Sequence, residues 1–268
     1  MKEMIKNRRS VRTFEDVPLK DEDRKAIEEY IATLDNPFSI PVTLKIFHAK
    51  EYGLTSPVIV GAKEYLVGKV PFLPHCEMAY GYEFEKVCLF ALTKGVSSVM
   101  LAGSLKREAF EKAIDVKEKE VLPVASPLGY VAKKMSLREM VMRKAIGADN
   151  RLPFEKLFFS QNFETSLSKE EAGLYLEALE AIRLAPSAVN HQPWRVVKEN
   201  DVLHFYEFKT IKESPIGDVQ KIDMGIALSH LDVVMEENGY QGEYFFDEPS
   251  IAKGDSLEYI VSYRALQK

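Results

Sequence analysis

Two strongly apolar helical stretches, each closed by a glycine, stand 144 residues apart in this chain: one runs from Gly81 to Lys94 before Gly95, the other from Asp223 to Asn238 before Gly239. A helix of this kind must be covered by protein, and a chain carrying two of them covers both most simply by packing one on the other. The flanking segments repeat as well. Phe163-Glu-Thr-Ser-Leu167 resembles Phe14-Glu-Asp-Val-Pro-Leu19, and the helical pattern Ser168 to Leu184 tracks Lys20 to Leu34, with Leu179 opposite Ile31. Matches in the same order at nearly equal offsets suggest a divergent internal duplication. The expected domains are residues 1–150 and 151–268, related by a pseudo-twofold axis as the subunits of a symmetric dimer are.

The remaining periodicities predict an α+β fold with a mostly antiparallel sheet in each half. Val42 to His48 alternates as a half-buried strand, Pro57 to Ala62 reads as a short buried strand, and Val121 to Leu128 as another ending at Gly129. Arg107 to Ile114 and Ser136 to Ile146 have helical spacing. In the second half Trp194 to Val197, Leu203 to Phe208 and Leu257 to Tyr263 read as strands.

At 46% hydrophobic and 29% charged residues the composition is that of a soluble globular protein. A net charge of -5 argues against generic nucleic-acid binding. Cys76 and Cys88 form neither a disulfide framework nor a metal-ligand pattern. The charged N-terminus and the lack of an apolar run long enough for a membrane span lead us to expect a cytoplasmic protein.

Two segments carry chemistry. Arg8, Arg9 and Arg12 put three permanent cations around Ser10, and guanidinium forks bind phosphate bidentately. A solvated basic N-terminus would look the same. The second segment is Ala185-Pro-Ser-Ala-Val-Asn-His-Gln-Pro-Trp-Arg195, where Pro186 should end a helix at Leu184 and start a loop rich in hydroxyl, amide and imidazole groups. Such a loop can surround a planar polar ligand, or simply terminate a helix with Trp194 in the core.

Together the two segments resemble the paired motifs of the FMN-dependent nitroreductases, with Tyr80-Gly-Tyr82, Gly95 to Gly103 and Ser126-Pro-Leu-Gly-Tyr130 as further landmarks. Ordinary members of that family carry both motifs in one subunit and dimerise around their flavins. Here the first half keeps Arg8 to Arg12 but has Asp35-Asn-Pro-Phe-Ser39 after its helix. The second half keeps Pro186 to Trp194 but has Phe159-Ser-Gln-Asn-Phe163 where the arginines belong. The pattern is similar to the single-chain, fused branch of the family, an intrachain pseudo-dimer with one surviving flavin pocket. The resemblance implies that Arg8, Arg9, Ser10 and Arg12 hold the FMN phosphate and ribityl chain. It implies that Pro186, Ser187, Ala188, Asn190 and Gln192 line the opposite side, and that Leu101, Ala102 and Gly103 run beside the ring. Lys133 or Lys134 falls where the family places a basic phosphate ligand. It further implies NADH or NADPH as transient donor, a small nitroaromatic, quinone or similar acceptor, no metal, no side-chain nucleophile, and a chain that completes its pocket as a monomer. The alternatives are a flavin-binding protein that stores or senses FMN without turnover, and an unrelated scaffold whose arginines meet a polyanion.

Overall fold

The protein is described by a computed structural model covering residues 1–213 and 217–267. The first part of the chain forms helix α1 (Lys2–Asn7), α2 (Asp21–Ile31), strand β1 (Thr43–His48), α3 (Ala49–Tyr52), β2 (Glu64–Pro71), α4 (Cys76–Thr93), β3 (Ser97–Ser98), α5 (Arg107–Ile114), β4 (Glu120–Val121), β5 (Ala125–Gly129) and α6 (Leu137–Ala145). Its sheet has the order β1-β2-β5-β3, with β4 paired to β2 and every pairing antiparallel. The second part forms β6 (Phe158–Ser160), α7 (Lys169–Ala172), α8 (Leu176–Leu184), β7 (Trp194–Glu199), β8 (Val202–Phe208), α9 (Val219–Glu237), β9 (Tyr240–Phe245) and β10 (Leu257–Gln267). These strands make a sheet in the order β6-β7-β8-β10-β9, parallel only between β6 and β7.

Helices α4 and α9 pack on each other in the middle of the molecule and are buried along almost their whole length. Neither has an amphipathic stripe because neither has a solvent side. At the crossing, a Cβ on Gly81 would fall 2.2 Å from the Ile222 carbonyl oxygen, and one on Gly225 would fall 2.1 Å from that of Met78. Only glycine allows such backbone contact. The contact is reciprocal: Gly81 and Gly225 stand 144 residues apart, as do Met78 and Ile222.

Several expected elements differ. The Ser168 to Leu184 helix breaks at Gly173, whose φ of +55° belongs to the left-handed region, so α7 and α8 are joined by a 3₁₀ turn. Pro57 to Ala62 is not a strand. It keeps one parallel bridge, Thr13 to Val60, and Val60 is half-exposed. The central strand is instead β2, whose glutamate, lysine and glycine obscure its alternation. Val121 to Leu128 is split by Pro123, which has no N–H to donate to a ladder. The short helix α1 and the strands β6 and β9 have no counterpart in the sequence reading.

Candidate functional site

A cleft of about 280 Å³ opens where α4, α6 and α9 meet the segment 8–12, the segment 98–104 and the loop 186–189. The N-terminal segment reaches it in extended form. Val11 donates its N–H to Ser98 O at 3.0 Å, and Val60 donates to Arg12 O at 2.9 Å. Period-two alternation then sends Ser10 and Arg12 into the cleft and Val11 and Thr13 the other way. Thr13 Oγ1 donates to Glu139 Oε2 at 2.7 Å and accepts the Ser136 N–H at 3.1 Å. This ties down the N-terminus of α6, and Met142 and Ile146, one turn apart, line the cleft.

The cationic end of the cleft is crowded. Arg8 Nε and Arg12 Nε and Nη1 are buried and have no hydrogen-bond partner among the described residues. Arg143 Nη1 donates to Ser10 O at 3.3 Å, and Arg151 is held by the carbonyls of Ala148, Asn150 and Leu184. Burial pushes the Arg12 guanidinium down, with Glu139 opposing and Arg143 adding to the effect. Arg151 is lowered by burial and then by Arg8. Buried N–H groups without hydrogen-bond acceptors, in a cluster where the guanidinium groups outnumber the nearby carboxylates Glu85 and Glu139, are a site wanting an anion. The remaining lining is largely apolar, including Val99, Leu101, Val124, Ile222 and Ile226, with Glu85 and Asp223 as its two acids.

The loop after α8 closes the opposite wall. Helix α8 ends at Leu184, with Ala185 extended before Pro186. The backbone then takes φ of 44° at Val189, 61° at Asn190 and 52° at Gln192, a costly run for residues with side chains, most of all for a β-branched one. Three contacts hold it. Both carboxylate oxygens of Asp223 accept the Ala188 N–H at 3.0 Å, Ser187 Oγ accepts the Gln192 N–H at 2.9 Å, and Asn190 Nδ2 donates to Gly147 O at 2.8 Å. Asp223 is buried in the cleft wall, and that burial raises its pKa well above the usual carboxylate range.

Of the residues singled out in the sequence, Arg8, Ser10, Arg12, Leu101, Ala102, Gly103, Pro186, Ser187 and Ala188 line this one cleft. Arg9, Lys133 and Lys134 are exposed and lie outside its lining. Asn190 and Gln192 turn their amides to the 147–152 connection, with Leu152 N–H donating to Gln192 Oε1 at 2.8 Å. The Leu101 N–H is taken by Ala125 O at 2.8 Å, so an amide contact to a ligand here falls to its neighbours. His191 bonds to Thr210 Oγ1 instead of the cleft. Arg143, Arg151, Glu85 and Asp223 had no such role in the sequence reading. Asp223, seven residues before His230 on one helix, suggests a metal or relay pair from sequence, and polar residues on a helix face near the pseudo-dimer interface would look the same.

With a central pair of apolar helices, two mainly antiparallel sheets and an arginine-rich cleft, the chain belongs to a nitroreductase family. The matching family model, described as "Putative TM nitroreductase", spans residues 1–235. The crystal structure of a "putative nitroreductase" from Thermotoga maritima shares the fold, with a TM-score of 0.61 and 20% identity over 98% of this chain and 92% of that one. A nitroreductase family protein from Clostridium difficile aligns over 58% of this chain and 95% of its own, at 13% identity and a TM-score of 0.46. A Thermus thermophilus NADH dehydrogenase is 42% identical over 78 residues, 26% of this chain. The chain spans 38% of the length of that curated relative.

Proposed function

We propose that residues 1–150 and 151–268 form an intrachain pseudo-dimer holding one FMN in the cleft, and that the chain is an FMN-dependent NAD(P)H oxidoreductase. The observation that carries this reading is the convergence of Arg8, Ser10 and Arg12 with Pro186, Ser187 and Ala188 on one cavity. Its buried guanidinium N–H groups lack acceptors among the described residues. The donor set fits the group: guanidinium N–H groups without hydrogen-bond acceptors for a phosphate, a largely apolar stretch of wall for a planar ring, and hydroxyls of Ser10 and Ser187 for the polar tail. Arg8 and Arg12 would hold the phosphate, with Arg143 and Arg151 adding to the positive field in place of Lys133 and Lys134. Leu101, Ala102 and Gly103 would flank the ring, and Asp223 would fix the facing loop through Ala188.

Bound there, FMN would supply two-electron redox chemistry between NADH or NADPH and a nitroaromatic, quinone or similar small acceptor. The protein would bind and orient both partners and exclude water with Met142, Ile146 and Val189. The chain would complete its site without a partner subunit. Purified protein should carry one FMN per chain, bleach anaerobically with NADH or NADPH, and recover its colour when an acceptor is added. Two flavins per chain, or none, would overturn the reading. A flavin that NAD(P)H does not bleach would assign the cleft to storage or sensing.

A further inference from the structure

Glu85 is a carboxyl group in the cleft wall to which the proposed function gives no task. It sits on α4 with its side chain fully buried, Oε1 at 2.9 Å from His230 Nε2 of α9 and 3.8 Å from Arg8 Nε. Its Oε2 has no hydrogen-bond partner among the described residues. His230 Nδ1 lies 2.9 Å from the Ala181 carbonyl oxygen on α8. A carbonyl oxygen only accepts, so Nδ1 must carry a hydrogen and donate it. Nε2 and the carboxylate oxygen can then bond only if one proton lies between them. The pair is therefore either imidazolium with carboxylate, or imidazole with carboxylic acid. The other ionisable groups facing Glu85 are Arg8 from the N-terminal segment and, on α4 itself, Cys88. Burial and the Glu85 charge keep the Cys88 thiol protonated.

We propose that the Glu85–His230 pair stores the proton that two-electron reduction of the acceptor consumes, Glu85 releasing it into the cleft and His230 positioning Glu85. The proposal rests on the cleft being a flavin site. NAD(P)H gives up two electrons and one hydrogen as hydride. A quinone that becomes a hydroquinone gains two electrons and two hydrogens, so its second hydrogen is a proton. The pair supplies that proton as an O–H forms on the product, and water restores it once the product has left. Glu85 is placed for this task because the residue lines the cleft, its Oε1 meets the imidazole, and its buried Oε2 is left without a hydrogen-bond partner among the described residues.

Two measurements test the proposal. In flavin-free protein near neutral pH, ¹⁵N spectra of the histidine rings and the carboxyl C=O stretch should show either a doubly protonated His230 or a protonated Glu85. In Glu85→Gln, His230 should become the neutral Nδ1–H tautomer. A neutral His230 beside an ionised Glu85 in the wild type would overturn the proposal. In the holoenzyme, rates with a quinone should be compared with rates for ferricyanide, which takes electrons without protons. The quinone-to-ferricyanide ratio should fall at least tenfold in Glu85→Gln, at equal flavin content, and recover in part in Glu85→Asp. Equal loss with both acceptors, or a fall in Asp223→Asn and not in Glu85→Gln, would sink the proposal. Failure of the flavin reading itself would show separately, as colourless wild-type protein.

Discussion

Along the 144-residue offset that relates Gly81 to Gly225, four residues of the cleft, Met100, Ala102, Val219 and Ile226, correspond to Tyr244, Phe246, His75 and Tyr82. Pro186, at the neighbouring offset of the α2 and α8 helices, corresponds to Phe38. Small or flexible side chains in one region are aromatic in the other. Phe38 and Phe246 each stack on His75, with centroids 5.8 and 4.9 Å away, and lie tilted to each other at 6.1 Å, and Tyr82 donates to Asp232 at 2.6 Å. The loops that follow α2 and α8 are each tied by a buried acid on a central helix, Asn36 by Glu83 and Ala188 by Asp223. The difference is that small or aliphatic side chains open a cleft in one region while aromatic rings fill the matching positions of the other, where a separate cavity of about 390 Å³ remains against His75 and Met78.

The comparison can be broken most directly by making the hollow copy resemble the filled one. Ala102→Phe should reduce flavin from one per chain to near zero by absorbance, without lowering the melting temperature. Gly225→Ala forces a Cβ against the Met78 carbonyl and should destabilise both regions together, by about 3 kcal/mol in urea unfolding. Arg12→Ala removes a charge-assisted contact and should weaken FMN binding about 30-fold, roughly 2 kcal/mol, in a flavin titration. A normal FMN affinity in Arg12→Ala would place the phosphate elsewhere. Phe246→Ala should leave flavin content untouched and cost about 1 kcal/mol, because Phe246 is half-exposed and loses only ring contacts.

The smallest effect concerns pH. Burial pushes the Glu83 carboxyl up from 4.5 to about 7. The folded chain thus binds this proton more tightly than the unfolded chain, and the associated stability is full below pH 4.5 and lost as pH rises through 7. Glu83→Gln should flatten that slope, gaining about 2 kcal/mol at pH 8 relative to pH 5. An unchanged slope in the variant would mean that Glu83 ionises as freely in the folded chain as in the unfolded one.

How far the sequence could be read depended on what each residue answers to. Arg107 to Ile114 formed as expected because its period, its glutamate near the start and its apolar face agree. The two central helices were legible from apolar content alone. Gly173 was passed over because an isolated glycine breaks a helix only when the fold needs a turn there. Strand β2 was missed because burial of Glu64, bonded by the Leu19 N–H and His48, is a tertiary fact that composition disguises. In the site, Arg8, Ser10, Arg12 and Pro186 to Ala188 were legible because their local motifs also set their directions. Asn190 and Gln192 were not, since positive φ values turn their side chains toward Gly147 and Leu152. Arg143 and Arg151 come near Arg8 and Arg12 only through the docking of α6.

The touching backbones of Gly81 and Gly225 leave the halves no cushion of side chains on which to glide or part. Helix α6 is placed differently: it rests Met142 and Ile146 on the cleft, leaves Leu137 and Val141 to solvent and is tethered at its start through Thr13. With so much less of it buried, amide exchange in α6 should run well ahead of that in α4 and α9.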